Sequence, residues 1–256
     1  MFRLPHLSVL RAPSAVLFVL LLGGCGAGHS PAATGYAAGA AAVAGNLAFS
    51  SANSQSGSGP LLINAGVTQE VNGDVTAVAH VSGASCMASS DCIPMTGLVS
   101  ASNRLTFGSE PVAGATLTVE GQLSPNGNSL LAGTYSFTGA NCAPLAQGQI
   151  TGTQYSSISG TYTGTFTDTV GNQILVTSVL TQTTQPDQNG QFHLSGSSTF
   201  PNSICFTRPL LTDSLVTGSS LSETYAASSN GQPVTITATG TFDNTATHLT
   251  ISNWTV

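Results

Sequence analysis

The sequence predicts an all-β protein, an antiparallel meander of about twelve short strands in two similar halves, closing as a barrel or as packed sheets. Three observations predict it. Apolar and hydroxyl residues alternate with a period of two, turn signals recur at short intervals, and one half of the chain can be laid on the other. The alternation is clearest from Ile158 to Phe200. Ile158, Tyr162 and Phe166 share one face of its first segment, and Ser159, Thr161, Thr163 and Thr165 share the other. Asp168 to Asn172 turns the chain, Ile174 to Thr184 is rich in β-branched residues, and Gln185 to Gly190 turns it again. Phe192, Leu194, Gly196, Ser198 and Phe200 then form an inward row. Hydroxyls along one face suit an antiparallel sheet with one wet side, not a parallel sheet buried on both.

The first 25 residues stand apart. Arg3 and Arg11 mark a basic region, Ala12 to Leu22 is an apolar run broken only by Pro13 and Ser14, and Leu22-Gly23-Gly24-Cys25 ends it. The run is too short to span a bilayer as a helix. In this order the features resemble the signal peptide and lipobox of bacterial lipoproteins. The resemblance covers Met1 to Cys25 alone and implies cleavage after Gly24, a lipid such as palmitate on Cys25, and attachment to a membrane through that lipid. Gly26, where some lipoproteins have an Asp that retains them in the inner membrane, implies delivery to the outer membrane of the bacterial cell envelope. An ordinary secretory peptide with an incidental Cys25 is the alternative. Residues 25–42 are mostly Gly, Ala, Ser and Pro and read as a disordered, flexible tether.

The charge pattern excludes one class of partner. The chain has no lysine, and Arg3, Arg11, Arg104 and Arg208 are its only arginines, so no basic footprint for nucleic acid exists. Loss of residues 1–24 would leave two basic against ten acidic residues, a net charge of −8. Such a body does not seek anionic lipid through bulk charge, and membrane contact would rest on the anchor.

The repeat sets the domain plan. Leu117 to Leu123 parallels Ile236 to Phe242 at an offset of 119, which also maps Leu130 onto Leu249, Tyr135 onto Trp254 and Phe137 onto Val256. Upstream, Asn72-Gly73 parallels Asn189-Gly190, Cys86 parallels Cys205, Gly45 to Leu47 parallels Gly160 to Tyr162, and Leu61 to Ile63 parallels Ile174 to Val176. The plan is a first β-rich repeat over 43–140, a connection over 141–157 and a second repeat over 158–256. In the first repeat, strands are expected over 43–50, 61–71, 75–83, a pair within 96–108, then 114–123 and 130–139. Short turns such as Asn72-Gly73 leave no room for crossover helices. Glycines at 121, 133, 160, 164, 196 and 240 interrupt strand patterns and mark bends or bulges that let a sheet curl.

Cys86, Cys92, Cys142 and Cys205 are an even set in an exported chain and read as two disulfides, with Cys86–Cys92 and Cys142–Cys205 among the three pairings. No metal site and no cofactor is expected, since the cysteines lack tight spacing and nearby histidines. His80, His193 and His248 sit in strand patterns, with no acidic partner evident from spacing. Glu110, Glu120, Asp168, Asp187, Asp213, Glu223 and Asp243 are scattered. No nucleophile elbow, phosphate loop or dinucleotide fingerprint is present, so no catalytic residue is nominated. Two readings follow. One is a non-catalytic structural or interaction module that meets an envelope protein, the other a small-ligand carrier or binding barrel of lipocalin-like type, which requires a cavity.

Overall fold

In the first half, backbone pairing follows the alternation read from the sequence. The computed structural model describes residues 22–23, 40–54, 60–84, 86–87, 92–139, 147–167, 173–201, 207–229 and 231–255. A two-residue strand, β1 (Leu22–Gly23), precedes β2 (Gly45–Ser54), β3 (Pro60–Gln69), β4 (Asp74–Ser82), β5 (Cys92–Val99), β6 (Arg104–Ser109), β7 (Ala115–Leu123), β8 (Ser129–Gly139) and β9 (Gln147–Tyr155). Strands β2 to β9 pair with their neighbours in order, and β9 pairs back onto β2 to close an eight-stranded barrel. Its interior is filled by inward rows such as Leu61, Ile63, Ala65 and Val67 of β3, all buried.

The second half contains β10 (Gly160–Thr167), β11 (Gln173–Gln182), β12 (Phe192–Thr199), β13 (Thr207–Leu211), β14 (Leu215–Thr217), β15 (Ser220–Ser229), β16 (Gln232–Phe242) and β17 (His248–Thr255). These also run antiparallel in chain order and curl into a near-barrel. β13 and β14 each pair with both β12 and β15, so together they fill one strand position. The core holds Ile158, Tyr162, Leu180, Phe192, Leu221 and Leu249 among others. Ile158 and Tyr162 lie inside, as their shared face requires; the Phe166 side chain lies outside the described residues.

The antiparallel all-β architecture is as expected, and three details differ. Among the described residues the strands number sixteen beyond β1, where about twelve were expected. One of the additions is β9, which lies within residues 147–155 and belongs to the first barrel instead of a connection. Its inward row alternates Gly148 and Gly152 with Ile150 and Gln154, and the glycines stand where neighbouring rings take the space. A Cβ at Gly148 would stand 2.7 Å from the Tyr135 ring, and one at Gly152 would stand 2.5 Å from the Phe49 ring. The end of the tether is also ordered. Ala41 and Val43 are buried in the first core, the Ala41 N–H donates to Asn103 Oδ1 at 2.8 Å, and Gln69 Nε2 donates to the Ala41 carbonyl at 3.1 Å. Residues 26–39 lie outside the described set.

With β13 and β14 counted as one, β2 to β8 correspond in order to β10 to β17. Among the described residues the second half has no counterpart of β9. Between its edges, β10 and β17, runs β1, antiparallel to both.

Candidate functional site

Both barrel interiors are packed with side chains, and the cavity lies between the barrels. It measures about 590 Å³. Residues 44–46 and Asn128, with Gln154 and Tyr155 at the end of β9, contribute from the first barrel. Thr181 to Thr184, Phe192, Asn244 and Thr245 contribute from the second, and Ser156 and Ser157 cross between them. Among the described residues that line it, none is charged. Amide and hydroxyl groups therefore supply its polarity, with the Tyr155, Leu180 and Phe192 side chains as apolar surface.

Several hydrogen bonds hold this wall in place. Gln154 Nε2 donates to the Ala44 carbonyl at 2.7 Å, the Ser156 N–H donates to the Asn244 carbonyl at 3.0 Å, and the Ile158 N–H donates to Gln182 Oε1 at 3.1 Å. The Tyr155 ring meets Phe242 edge-on, with centroids 5.5 Å apart. Beside the cavity, the buried Asn46 amide grips the β14–β15 turn. Its Nδ2 donates to the Gly218 carbonyl at 2.6 Å and its Oδ1 accepts from the Gly218 N–H at 2.8 Å. Gly218 has φ +58°, and a Cβ there would stand 2.2 Å from Asn64 Oδ1, so only glycine fits this contact. Nearby, His80 Nε2 hydrogen-bonds the Asn189 carbonyl at 2.8 Å, a second link between the barrels.

A separate polar cluster lies inside the second barrel. Glu223 falls in the inward row with Leu221 and Tyr225 and is 4% exposed. Ser178 Oγ is 2.7 Å from Ser198 Oγ, and Ser198 Oγ donates to Tyr225 Oη at 3.3 Å. Burial pushes the Glu223 carboxyl up to about 7, although a hydrogen bond with Tyr225 opposes the shift. Burial and the nearby Glu223 charge also raise the Tyr225 phenol. Sequence reading missed this group by counting Glu223 among the scattered acids, although its parity with Leu221 and Tyr225 was visible.

Two of the histidines, for which spacing gave no acidic partner, have one in space. His193 Nε2 lies 3.1 Å from Asp187 Oδ2, and His248 Nδ1 lies 3.2 Å from Asp243 Oδ2. Both pairs are made by tight turns that fold a strand-end histidine back onto the turn's aspartate. Asp187 accepts the N–H groups of Asn189 and Gln191, and Asp243 accepts those of Thr247 and His248. Partial burial would raise each carboxyl, but the Thr247 hydroxyl, donating to Asp243 Oδ2 at 2.8 Å, and these backbone hydrogen bonds hold both below the usual carboxylate range. Neither histidine lines the cavity.

The expectation of two disulfides from four cysteines is corrected as well. Cys92 is an exposed free thiol, its Sγ donating to Asn189 Oδ1 at 3.8 Å, and no Sγ–Sγ pair within 4.5 Å joins it to Cys86. No bridge therefore joins Cys92 to Cys86, and Cys86 packs against the first core. Cys25, Cys142 and Cys205 lie outside the described residues. Among the described residues no group of three or more His, Cys, Asp or Glu side chains could hold a metal ion, and no helix is long and apolar enough to cross a membrane.

Comparison with known proteins gives no relative: no family model, no curated protein and no solved structure matches the chain.

Proposed function

We propose that this protein is a lipid-anchored binding protein of the bacterial cell envelope, whose cleft between two β-barrels takes a small neutral polar ligand of saccharide type. The uncharged cavity of about 590 Å³ is the observation that carries the reading. Its size suits a small ligand. Its lining favours one ligand class. An ionic ligand would be stripped of water with no counter-charge, which is costly, whereas a polyol meets amides and hydroxyls able both to donate and to accept. The Tyr155 ring supplies an apolar surface beside them. The cavity lies between the barrels, not within one as a lipocalin-like site would. Cys25 would hold the cleft at the membrane surface, where diffusing ligand is captured.

Calorimetry of the Cys25→Ser protein against neutral mono- and disaccharides tests the ligand class. Binding of at least one sugar is expected, weakened about tenfold or more by Asn244→Ala or Tyr155→Ala through lost polar and ring contacts. No binding across the panel, or binding indifferent to both substitutions, would overturn the reading. Anchoring is tested separately by feeding a labelled fatty acid to cells. Label should enter the parent and be absent from Cys25→Ser.

A further inference from the structure

The two barrels differ at one seam. In the first, β9 lies between β2 and β8 and pairs with both; in the second, the matching edges β10 and β17 do not pair directly with each other. β1 lies there instead. Gly23 stands opposite Thr163 of β10 and His248 of β17, and Leu22 stands opposite Leu249.

The register of β1 is that of the missing strand, and the two edges show it independently. Thr153 of β9 stands opposite Ala48 of β2 and Ser129 of β8. The repeat carries Ala48 onto Thr163 at the offset of 115 that relates Gly45 to Gly160, and Ser129 onto His248 at the offset of 119. Those are the two residues that face Gly23. Likewise Gly152 faces Leu130, and Leu22 faces Leu249, the counterpart of Leu130. Gly23 thus holds the place of Thr153, and Leu22 that of Gly152.

The edges themselves are suited to receiving a strand. Neither β10 nor β17 contains a lysine or a proline, the residues that commonly blunt an exposed edge. Tyr162 Oη donates to the Ala246 carbonyl at 3.0 Å, tying β10 to the β16–β17 turn and fixing one end of the seam. Backbone pairing on both sides supplies affinity with little demand on sequence, as in strand addition generally.

We infer that the seam between β10 and β17 is a strand-acceptor groove, and that its occupant is the chain's own N-terminal segment at Leu22–Gly23, standing in for an eighth strand. The two ends of the chain's chemistry are then coupled. Cleavage before Cys25 removes the segment and opens the second barrel along one side, leaving the first barrel closed. This inference is independent of the ligand cleft.

Hydrogen exchange on the uncleaved Cys25→Ser chain tests it. Gly23→Pro removes one of the two N–H groups of β1. Amides of β10 and β17 are expected to exchange about tenfold or more faster in that variant, while β7 and β8 keep their rates. Equal rates in parent and variant would overturn the proposal. A peptide covering residues 16–26, added to the Gly23→Pro chain, should restore protection. Better protection by a peptide of the β9 sequence would overturn the choice of occupant. Should Gly23→Pro fail to fold, oxidative crosslinking decides. Gly23→Cys should bond with His248→Cys and not with Thr255→Cys, and failure of the first link or equal yield of both would overturn the register.

Discussion

Tyr135 and Trp254 hold the same place in the two halves. Tyr135 faces Val119 across β7 and β8, Trp254 faces Ala238 across β16 and β17, and each member of the second pair lies 119 positions after its counterpart. The flanking pairs repeat as well. Glu120 with Thr134 becomes Thr239 with Asn253, and Leu123 with Leu130 becomes Phe242 with Leu249, on the far side of a register shift in both hairpins. The shift follows Gln122 in the first hairpin and Thr239 in the second, so the pairs between differ, but the net displacement is the same. A shared displacement is a stronger sign of duplication than shared composition, because a bulge moves every later pair.

The equivalent aromatics should differ in energetic weight. Tyr135 is 2% exposed and meets Phe137 edge-on, so Tyr135→Ala should cost about 3 to 5 kcal/mol. Trp254 is half-buried at the rim, against Phe200 and Tyr225, and Trp254→Ala should cost about 1 to 3 kcal/mol. Denaturant unfolding of both variants beside the parent measures this. Equal losses would show that the rim position is as enclosed as the core one.

What was legible in the sequence followed from parity and turns. The inward rows at Ile158 and Tyr162 and the 119 offset were readable because each side chain's face is set by its own position. β9 was not, since its inward glycines are required by Tyr135 and Phe49, distant residues whose rings fill the space. The cleft was unreadable for a related reason. It joins Gln154 to Thr183 and Asn244, segments brought together only when two barrels dock. The histidine–aspartate pairs depend on turn geometry, which spacings of five or six residues do not announce.

Asn46 should matter more to the docking of the barrels than its size suggests. Asn46→Ala strands the Gly218 N–H and carbonyl in a buried site, at a cost of about 2 to 4 kcal/mol. Asn46→Asp should also be destabilising, since a carboxylate cannot donate to the Gly218 carbonyl. Denaturant midpoints check both, and a midpoint unchanged in Asn46→Ala would show that the contact contributes little.

Cys92 should alkylate in the folded, unreduced protein. Its thiol is exposed at the start of β5, beside Asn189 of the second barrel. Iodoacetamide followed by peptide mapping should place a label on Cys92, and Cys92→Ser should lose it. A Cys92 peptide that stays unlabelled until reduction would contradict the assignment.

The buried Glu223 should give the fold a pH dependence opposite to that of paired surface acids. Its carboxyl titrates near 7 in the folded protein against an ordinary value of 4.5. Below the lower value both states carry the proton, and burial has no ionic cost. Between the two values the folded protein keeps a proton that the unfolded chain has released, so stability falls as pH rises through this window and levels above it. That difference corresponds to a loss of at most about 3 to 4 kcal/mol. Asp187 and Asp243, both lowered, act with the other sign, and their contribution is lost only as pH falls below the usual carboxylate range. Glu223→Gln keeps a polar side chain and removes the titration. Urea midpoints from about pH 4 to about pH 8 should therefore separate parent and variant, with the advantage of Gln growing as pH rises. The difference isolates Glu223 because the remaining groups titrate in both proteins, and parallel curves would show that the carboxyl stays charged or is reached by solvent.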